Sequence, residues 1–400
     1  MSNNFKILKE DKKTRARLGV LTTPHGMVNT PSYVFVGTYG RFLHLSPSDL
    51  KKTKIQIVIS NTFHLWHEVL KTNNHKLPAT KLGTFIHNKL GLKVPIMTDS
   101  GGFQVLSLAF GDKNKVSKFM TGDTQKDDSF NRSKIKITQR GVHFNYNGQK
   151  MFLSPKMSMD IQRRIGADIN FAFDHITSPL DDYEYNKHAI EVTNKWARIC
   201  LKEHAKGNTK QLLFGIVQGG IFKNLRKASA KYIGSLPFDG FGIGGSYTKK
   251  QISKTLKWMI PHLPAGKPRH LLGVGKVADI FEAVENGIDL FDCVIPTREA
   301  RHGRLYTKTG HMDIRRGYYS KDKKVIERNC GCHSCKSKIP RSKIRELIKS
   351  VDRKQNAAGQ RWCLLHNIWF FNNLVEEMRS SIQKGTFLKL KKKYLSPYDI

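Results

Sequence analysis

Short apolar segments that each end in a polar or glycine-containing turn recur along the chain. Eight are rich in Val, Ile and Phe: YVFVGT from Tyr33, IQIVISN from Ile55, VPIMTDSGG from Val94, INFAFD from Ile169, LLFGIVQGG from Leu212, FGIGG from Phe241, HLLGVG from His270 and LFDCVIPTR from Leu290. Such runs are typical of strands buried on both faces of a parallel sheet. Several intervening stretches, such as KVADIFEAVENG, have helical spacing. The pattern predicts an α/β fold, a TIM-type (β/α)8 barrel rather than an open sheet.

The residues that end these segments are candidates for a ligand site. Active sites of such barrels lie where the strands give way to the following helices. For a single aspartate in this position, a helix N-cap is an equally good interpretation. We nevertheless predict a site, because three aspartates and two glycine turns converge on one rim: Asp99, Asp174, Gln218, Gly244, Gly245 and Asp292.

A long insertion separates the third and fourth predicted strands. It contains KIKITQRGVHFNYNGQKMFL, in which alternating residues flank Asn147-Gly148, a strong signal for a hairpin turn. The insertion is therefore predicted to form a β-ribbon lying on the barrel.

Cysteines cluster near the C-terminal end in a pattern typical of a metal site. Cys330, Cys332 and Cys335 form C-x-C-x2-C, and Cys363 and His366 follow further along the chain. Three thiolates and an imidazole suit tetrahedral zinc, and four protein ligands indicate a structural ion. Spacing alone leaves Cys363 as an alternative to His366, with His333 a weaker one. We predict a barrel domain over 1–311 and a zinc-binding subdomain with a C-terminal helix over 312–400.

The charge of the chain favours a polyanionic partner. Lys and Arg total 69 against 32 acidic residues, a net charge of +37. Such a field favours nucleic acid, although a general lysine bias of the host proteome would also produce it. No apolar run is long enough for a membrane span, and the first residues lack the apolar core of a secretion signal, so we expect a cytoplasmic protein without a membrane partner.

Five motifs, in a shared order, resemble one enzyme family. They are TDSGGFQV at Thr98, LFGIVQGG at Leu213, FDGFGIGGS at Phe238, GIDLFDCVIPTREAR at Gly287, and CGCHSC with a distant HN. Together they resemble the tRNA-guanine transglycosylases, or queuine tRNA-ribosyltransferases, from about Arg17 to Ile382. The resemblance implies exchange of a tRNA guanine, at the anticodon wobble position, for a 7-deazaguanine such as preQ1 or queuine in queuosine synthesis.

The resemblance also implies how two carboxylates perform the exchange. Asp292 matches the family's nucleophile, which forms a covalent aspartyl-ribosyl intermediate. Asp99 matches the general acid/base that protonates the departing guanine and deprotonates the incoming base. A catalytically silent tRNA-binding subunit of the same fold is the main alternative, and a barrel hydrolase that uses zinc for catalysis is a second.

Further residues match the family's base-binding positions. Asp174 corresponds to the carboxylate that accepts both guanine donors, Gln218 to the partner of the O6 and N7 side, and the Gly245 backbone to a donor to O6. Phe103 and Leu272 match the apolar faces that sandwich the base, although ordinary core packing explains such residues equally well without the family match.

The resemblance also concerns the RNA partner, the oligomer and the incoming base. Arg298 and Arg301 match an anticodon-contacting loop, for which a solvated loop is the plain alternative. Family members commonly form homodimers. The usual glutamate after the GG turn is missing, since the stretch reads GGSYTKK with Ser246 and Lys250. The identity of the incoming base therefore stays open.

Overall fold

An antiparallel sheet of three short strands precedes the barrel. The computed structural model describes residues 4–71, 85–108, 135–178, 180–245 and 251–396. The sheet consists of β1 (Phe5–Glu10), β2 (Arg17–Thr23) and β3 (Gly26–Thr30). Its apolar side chains Phe5, Leu21 and Val28 are buried together with residues of the barrel interior. Because β3 leads directly into the first barrel strand, this sheet covers the amino end of the barrel.

Eight parallel strands form a closed barrel, as the sequence pattern predicts. Each overlaps one of the eight apolar segments: β4 (Ser32–Val36), β5 (Val58–Ser60), β6 (Ile96–Thr98), β10 (Ile169–Phe171), β11 (Leu212–Val217), β12 (Gly240–Ile243), β13 (Arg269–Leu271) and β14 (Leu290–Cys293). The last strand pairs with the first, with Asp292 opposite Val34. The centres of these segments are apolar because both faces of each strand are covered. Their ends are polar because they lie at the rim of the barrel.

The inserted β-ribbon is confirmed and consists of three antiparallel strands. They are β7 (Ile135–Thr138), β8 (Gly141–Tyr146) and β9 (Gln149–Leu153). Asn147 and Gly148 form the turn between the last two strands with positive φ angles of 49° and 78°, as such a turn requires. Phe144 and Leu153 are buried in the main core, so the ribbon packs on the barrel.

Helices surround the barrel and follow its strands. Their ends carry the expected caps: Ser154 accepts a hydrogen bond from the Met157 N–H, and Asp182 accepts one from the Tyr185 N–H. The helices up to the end of the barrel are α1 (Pro47–Lys51), α2 (Thr62–Lys71), α3 (Phe85–Leu90), α4 (Gly102–Leu108), α5 (Pro155–Ile165), α6 (Tyr183–Lys206), α7 (Lys223–Gly234), α8 (Ile252–Met259), α9 (Val277–Glu285) and α10 (Ile295–Arg301).

The C-terminal part combines a hairpin with four helices. They are β15 (Arg304–Thr307), β16 (Gly310–Asp313), α11 (His333–Lys336), α12 (Arg341–Lys349), α13 (Arg353–Gln383) and α14 (Phe387–Leu395). Helix α13 contributes Cys363 and Leu364 to a small core around the cysteine cluster, and Ile368 and Phe371 to the main core. This long helix ties the two cores together. The boundary between residues 311 and 312 stays a prediction. In the described part of the chain, every helix is too short or too polar to cross a membrane.

Candidate active site and metal centre

One cavity at the carboxyl end of the barrel strands contains the predicted catalytic and base-binding residues. Its volume is about 270 Å³. It is lined, among others, by all seven of them: Asp99, Phe103, Asp174, Gln218, Gly245, Leu272 and Asp292. The carboxyl ends of parallel strands meet at one rim, which explains why residues so distant in sequence share this space.

Asp99 follows β6 and is held by the start of α2. Its carboxylate accepts hydrogen bonds from Asn61 Nδ2 at 2.5 Å, from the Thr62 N–H at 2.9 Å and from the Gly101 N–H at 3.0 Å. Burial nevertheless raises the pKa of Asp99 to about 6, and the nearby charge of Asp292 acts in the same direction. A carboxyl group with this pKa can both give and take a proton near neutral pH.

Asp174 lies deeper, after β10, and faces two polar side chains. Gln218 Nε2 donates to one carboxylate oxygen at 2.5 Å, and Ser100 Oγ contacts the other at 3.4 Å. Burial raises the pKa of Asp174 to about 6, although both hydrogen bonds oppose the shift. The site thus contains a second carboxyl group whose pKa is raised toward neutral pH.

Two glycine turns lie near the cavity, and the one at Gly244 and Gly245 lines its wall. Gly245 has a φ of 84°, and a Cβ at this position would lie 2.5 Å from Gln218 Oε1, so only glycine fits. The fully buried Arg226 holds both turns, donating from Nε to the Gly220 carbonyl and from Nη1 to the Gly244 carbonyl, each at 2.7 Å. A charged side chain on α7 therefore fixes the shape of the cavity wall.

Asp292 lies near the end of β14 and also lines the cavity. Its Oδ1 accepts a hydrogen bond from His270 Nε2 at 2.8 Å and lies 3.4 Å from the Gly273 nitrogen. The side chain keeps 15% of its surface exposed, so the carboxylate is accessible from the cavity.

The two predicted RNA-contacting arginines lie on α10, directly after Asp292. Arg298 is exposed and lines a groove of about 580 Å³, together with Arg304, Arg315 and Arg316. Arg301 is half-buried and lines a neighbouring cleft. Burial and the charge of Arg298 lower the pKa of Arg301. A basic surface thus adjoins the carboxylate-lined cavity.

The predicted metal ligands meet outside the barrel. The ligand atoms of Cys330, Cys332, Cys335 and His366 all lie within 4.8 Å of one another. His366 Nδ1 is 3.9, 3.4 and 3.8 Å from the sulfur atoms of Cys330, Cys332 and Cys335, respectively. These distances are close to the separation of about 3.6 Å between sulfur and nitrogen ligands in a tetrahedral zinc site. His366 Nε2 lies 2.7 Å from the Tyr306 carbonyl oxygen. That contact leaves Nδ1 free to bind a metal ion.

The two alternative ligands are not part of this cluster. Cys363 is fully buried on α13 and belongs to neither of the two residue groups, among the described residues, whose side chains could hold a metal ion. His333 Nε2 lies instead 3.5 Å from Lys52 Nζ. A second such group, His25, His87 and Asp168, is held together by direct hydrogen bonds.

The fold and the site define a (β/α)8-barrel protein whose carboxylates face a cavity beside a basic surface. The family model described as Queuine tRNA-ribosyltransferase matches residues 11–399. Relatives with that name come from Thermotoga neapolitana, 40% identical over 97% of both chains, and Halothermothrix orenii, 36% identical over 100% of this chain and 98% of the relative. A third, from Anoxybacillus flavithermus, is 37% identical over 98% of this chain and 96% of the relative. The chain belongs to the queuine tRNA-ribosyltransferase family, a family of pentosyltransferases.

Several residues of the site escaped the sequence analysis. Asn61, in the segment NTFHL, donates to Asp99, and no local pattern in that segment indicates this contact. Arg226 and His270 carry no motif signal, since each makes its key contact with a residue that is distant in sequence. Ser246 and Lys250 lie outside the described residues.

We predict a pH-dependent stability difference for Asp174→Asn. The pKa of Asp174 is about 6 in the folded protein and about 3.9 when unfolded, so ionisation opposes folding increasingly as pH rises from 4 to 6. Removing the charge should therefore stabilise the protein by about 3 kcal/mol near pH 8 and about 1 kcal/mol near pH 4.5. Urea denaturation at both pH values measures this, and an equal difference at both would contradict the raised pKa.

Proposed function

We propose that the protein exchanges a guanine in tRNA, at the anticodon wobble position, for a 7-deazaguanine such as preQ1 or queuine. The observation that carries the proposal is the shared cavity of Asp292, Asp99 and Asp174. A catalytically silent tRNA-binding subunit would have no need of two carboxyl groups with raised pKa values beside an accessible third carboxylate.

The exchange proceeds as two displacements at C1′ of the ribose. In the first, an Asp292 oxygen bonds to C1′ while the bond from C1′ to N9 breaks, and its electron pair leaves with guanine. Asp99 supplies the proton that the departing base takes up. In the second, the incoming base gives its N9 proton to Asp99, and N9 bonds to C1′ as the ester bond to Asp292 breaks. Two inversions give net retention.

Guanine recognition follows from the donors and acceptors in the cavity. The Asp174 carboxylate can accept from both the N1 hydrogen and the exocyclic amine of the base. Gln218 and the Gly245 N–H face the side of O6 and N7. Phe103 and Leu272 offer apolar surfaces to the two faces of the ring, and such stacking contributes roughly 1 to 3 kcal/mol per base. The target nucleotide must leave its stack to enter.

We predict that Asp292→Asn abolishes the covalent adduct between protein and tRNA. The amide lacks the charge needed to attack C1′, so no band of increased mass should survive denaturing electrophoresis after incubation with tRNA. Asp160→Asn provides the control, because Asp160 lies on α5 and pairs there with Arg163 and Arg164. An adduct of undiminished yield in Asp292→Asn would remove this residue from its proposed role.

We propose further that Cys330, Cys332, Cys335 and His366 hold one structural zinc ion per chain. The donor set and the distances between sulfur and nitrogen fit a closed tetrahedral site. When bound, the ion would cross-link α11 and the loop before it to the long helix α13. With four protein ligands, no position remains for substrate.

We predict that His366→Ala loses zinc while Cys363→Ala retains it. Removal of one ligand should weaken zinc affinity by at least about 100-fold, whereas Cys363 lies in the same helix but outside the cluster. Metal analysis after dialysis against a weak chelator measures the zinc content per chain. Loss of zinc from Cys363→Ala with retention in His366→Ala would reverse the assignment.

The proposed tRNA surface includes the arginine groove beside the cavity. Arg298, Arg304, Arg315 and Arg316 line it, and all four are exposed. Tyr318, also on the groove, is 71% exposed and can stack on an unpaired base. Cationic side chains beside the nucleophile would hold the phosphates around the nucleotide that enters the cavity. The homodimer and the cytoplasmic location stay predictions.

We predict that tRNA affinity falls steeply as salt rises, and that Arg298→Ala reduces the salt slope by about 1. The expected loss reflects one phosphate contact. Lys231→Ala serves as the control, because Lys231 is exposed in the last turn of α7, which points to the amino end of the barrel. Filter binding over a range of salt concentrations measures both slopes. A flat response in the wild type would show that the positive charge does not bind tRNA.

A further inference from the structure

The two oxygens of the Asp292 carboxylate have different surroundings. Oδ1 accepts the hydrogen bond from His270 Nε2 at 2.8 Å and lies 3.4 Å from the Gly273 nitrogen. Among the described residues, no hydrogen-bond donor contacts Oδ2. One oxygen is therefore anchored to the neighbouring strand β13, and the other is available for bond formation in the cavity.

His270 is a buried histidine that makes a hydrogen bond through only one of its ring nitrogens among the described residues. Its side chain has no exposed surface, and the ring packs edge-on against Phe171 with centroids 5.3 Å apart. An ionised carboxylate can only accept, so Nε2 carries the hydrogen. Nδ1 is buried and has no hydrogen-bond partner within the described part of the chain. A second proton on Nδ1 would therefore have no acceptor, and the neutral Nε2–H tautomer fits the site.

We propose that His270 is a positioning residue that orients the Asp292 carboxylate without neutralising its charge. The inference rests on the proposed function, in which Asp292 attacks C1′. A neutral N–H fixes the rotation of the carboxylate, so that Oδ2 presents its lone pair to the cavity. A cationic partner would withdraw charge from the nucleophile and weaken the attack.

The hydrogen bond persists through the reaction. When Oδ2 bonds to C1′, Oδ1 becomes the carbonyl oxygen of the ester, and it still accepts from Nε2–H. No proton moves between His270 and Asp292, because the leaving electron pair goes to guanine and the proton comes from Asp99. The histidine thus supports both the free carboxylate and the ester.

A pair of nearly isosteric substitutions tests the role of the N–H donor. His270→Gln places an amide N–H close to the position of Nε2, whereas His270→Met has similar length and no donor. We expect His270→Met to slow the single-turnover formation of the covalent tRNA adduct by about 10- to 100-fold. We expect His270→Gln to remain within about 5-fold of the wild type, and the tRNA dissociation constant to change less than about 2-fold in both.

His87→Met is the matched control for loss of a buried histidine. His87 Nε2 also contacts an aspartate, Asp168, at 3.1 Å, but Asp168 precedes β10 at the other end of the barrel. We expect the rate of adduct formation in His87→Met to equal that of the wild type within about 2-fold. A lower adduct rate in His270→Met, rescued in His270→Gln, supports the inference, since loss of packing would impair both variants.

Three outcomes would overturn the positioning role. They are a wild-type adduct rate in His270→Met, an equal impairment of the Gln and Met variants, and a loss of tRNA affinity that accounts for the slower rate. If His270→Met does not fold, the Gln variant decides alone, and a loss above about 10-fold counts against the inference. Absence of an adduct in the wild type would instead refute the proposed function, and this inference with it.

Discussion

Closure of the parallel barrel is the constraint on which the site depends. The hydrogen bonds between β14 and β4 place Asp292 opposite Val34 and bring the eighth strand next to the first. All strands point the same way, so Asp99 after the third strand and Asp174 after the fourth share a rim with Asp292. Enclosure within this rim desolvates the carboxyl groups, which is the largest cause of the raised pKa values of Asp99 and Asp174.

The sequence allowed much of this arrangement to be predicted because local patterns carry it. Each barrel strand is an apolar run, since both of its faces are covered, and each run ends in the polar residues that form the rim. The Asn147-Gly148 turn requires positive φ angles and has the residues that permit them. The candidate metal ligands Cys330, Cys332 and Cys335 lie within one short segment, and only the preference for His366 over Cys363 as the fourth candidate needed the structure.

Other features could not be predicted because they depend on contacts between distant segments. The strands β1 to β3 are short and partly exposed, and their burial depends on the barrel that they cover. His270 meets Asp292 only because β13 lies beside β14, and Arg226 reaches the glycine turns from α7. Neither contact leaves a local pattern.

The N-terminal sheet affects the route by which bases can enter and leave the cavity. Phe5, Leu21 and Val28 pack together with interior residues such as Ile57 and Leu290, so these side chains cover the amino end of the barrel. On the proposed mechanism, the departing guanine and the incoming base must both pass through the opening at the carboxyl end of the barrel while the tRNA stays covalently bound there. Guanine must then leave before the 7-deazaguanine enters. The lifetime of the ester between Asp292 and the ribose sets the time available for this exchange of bases.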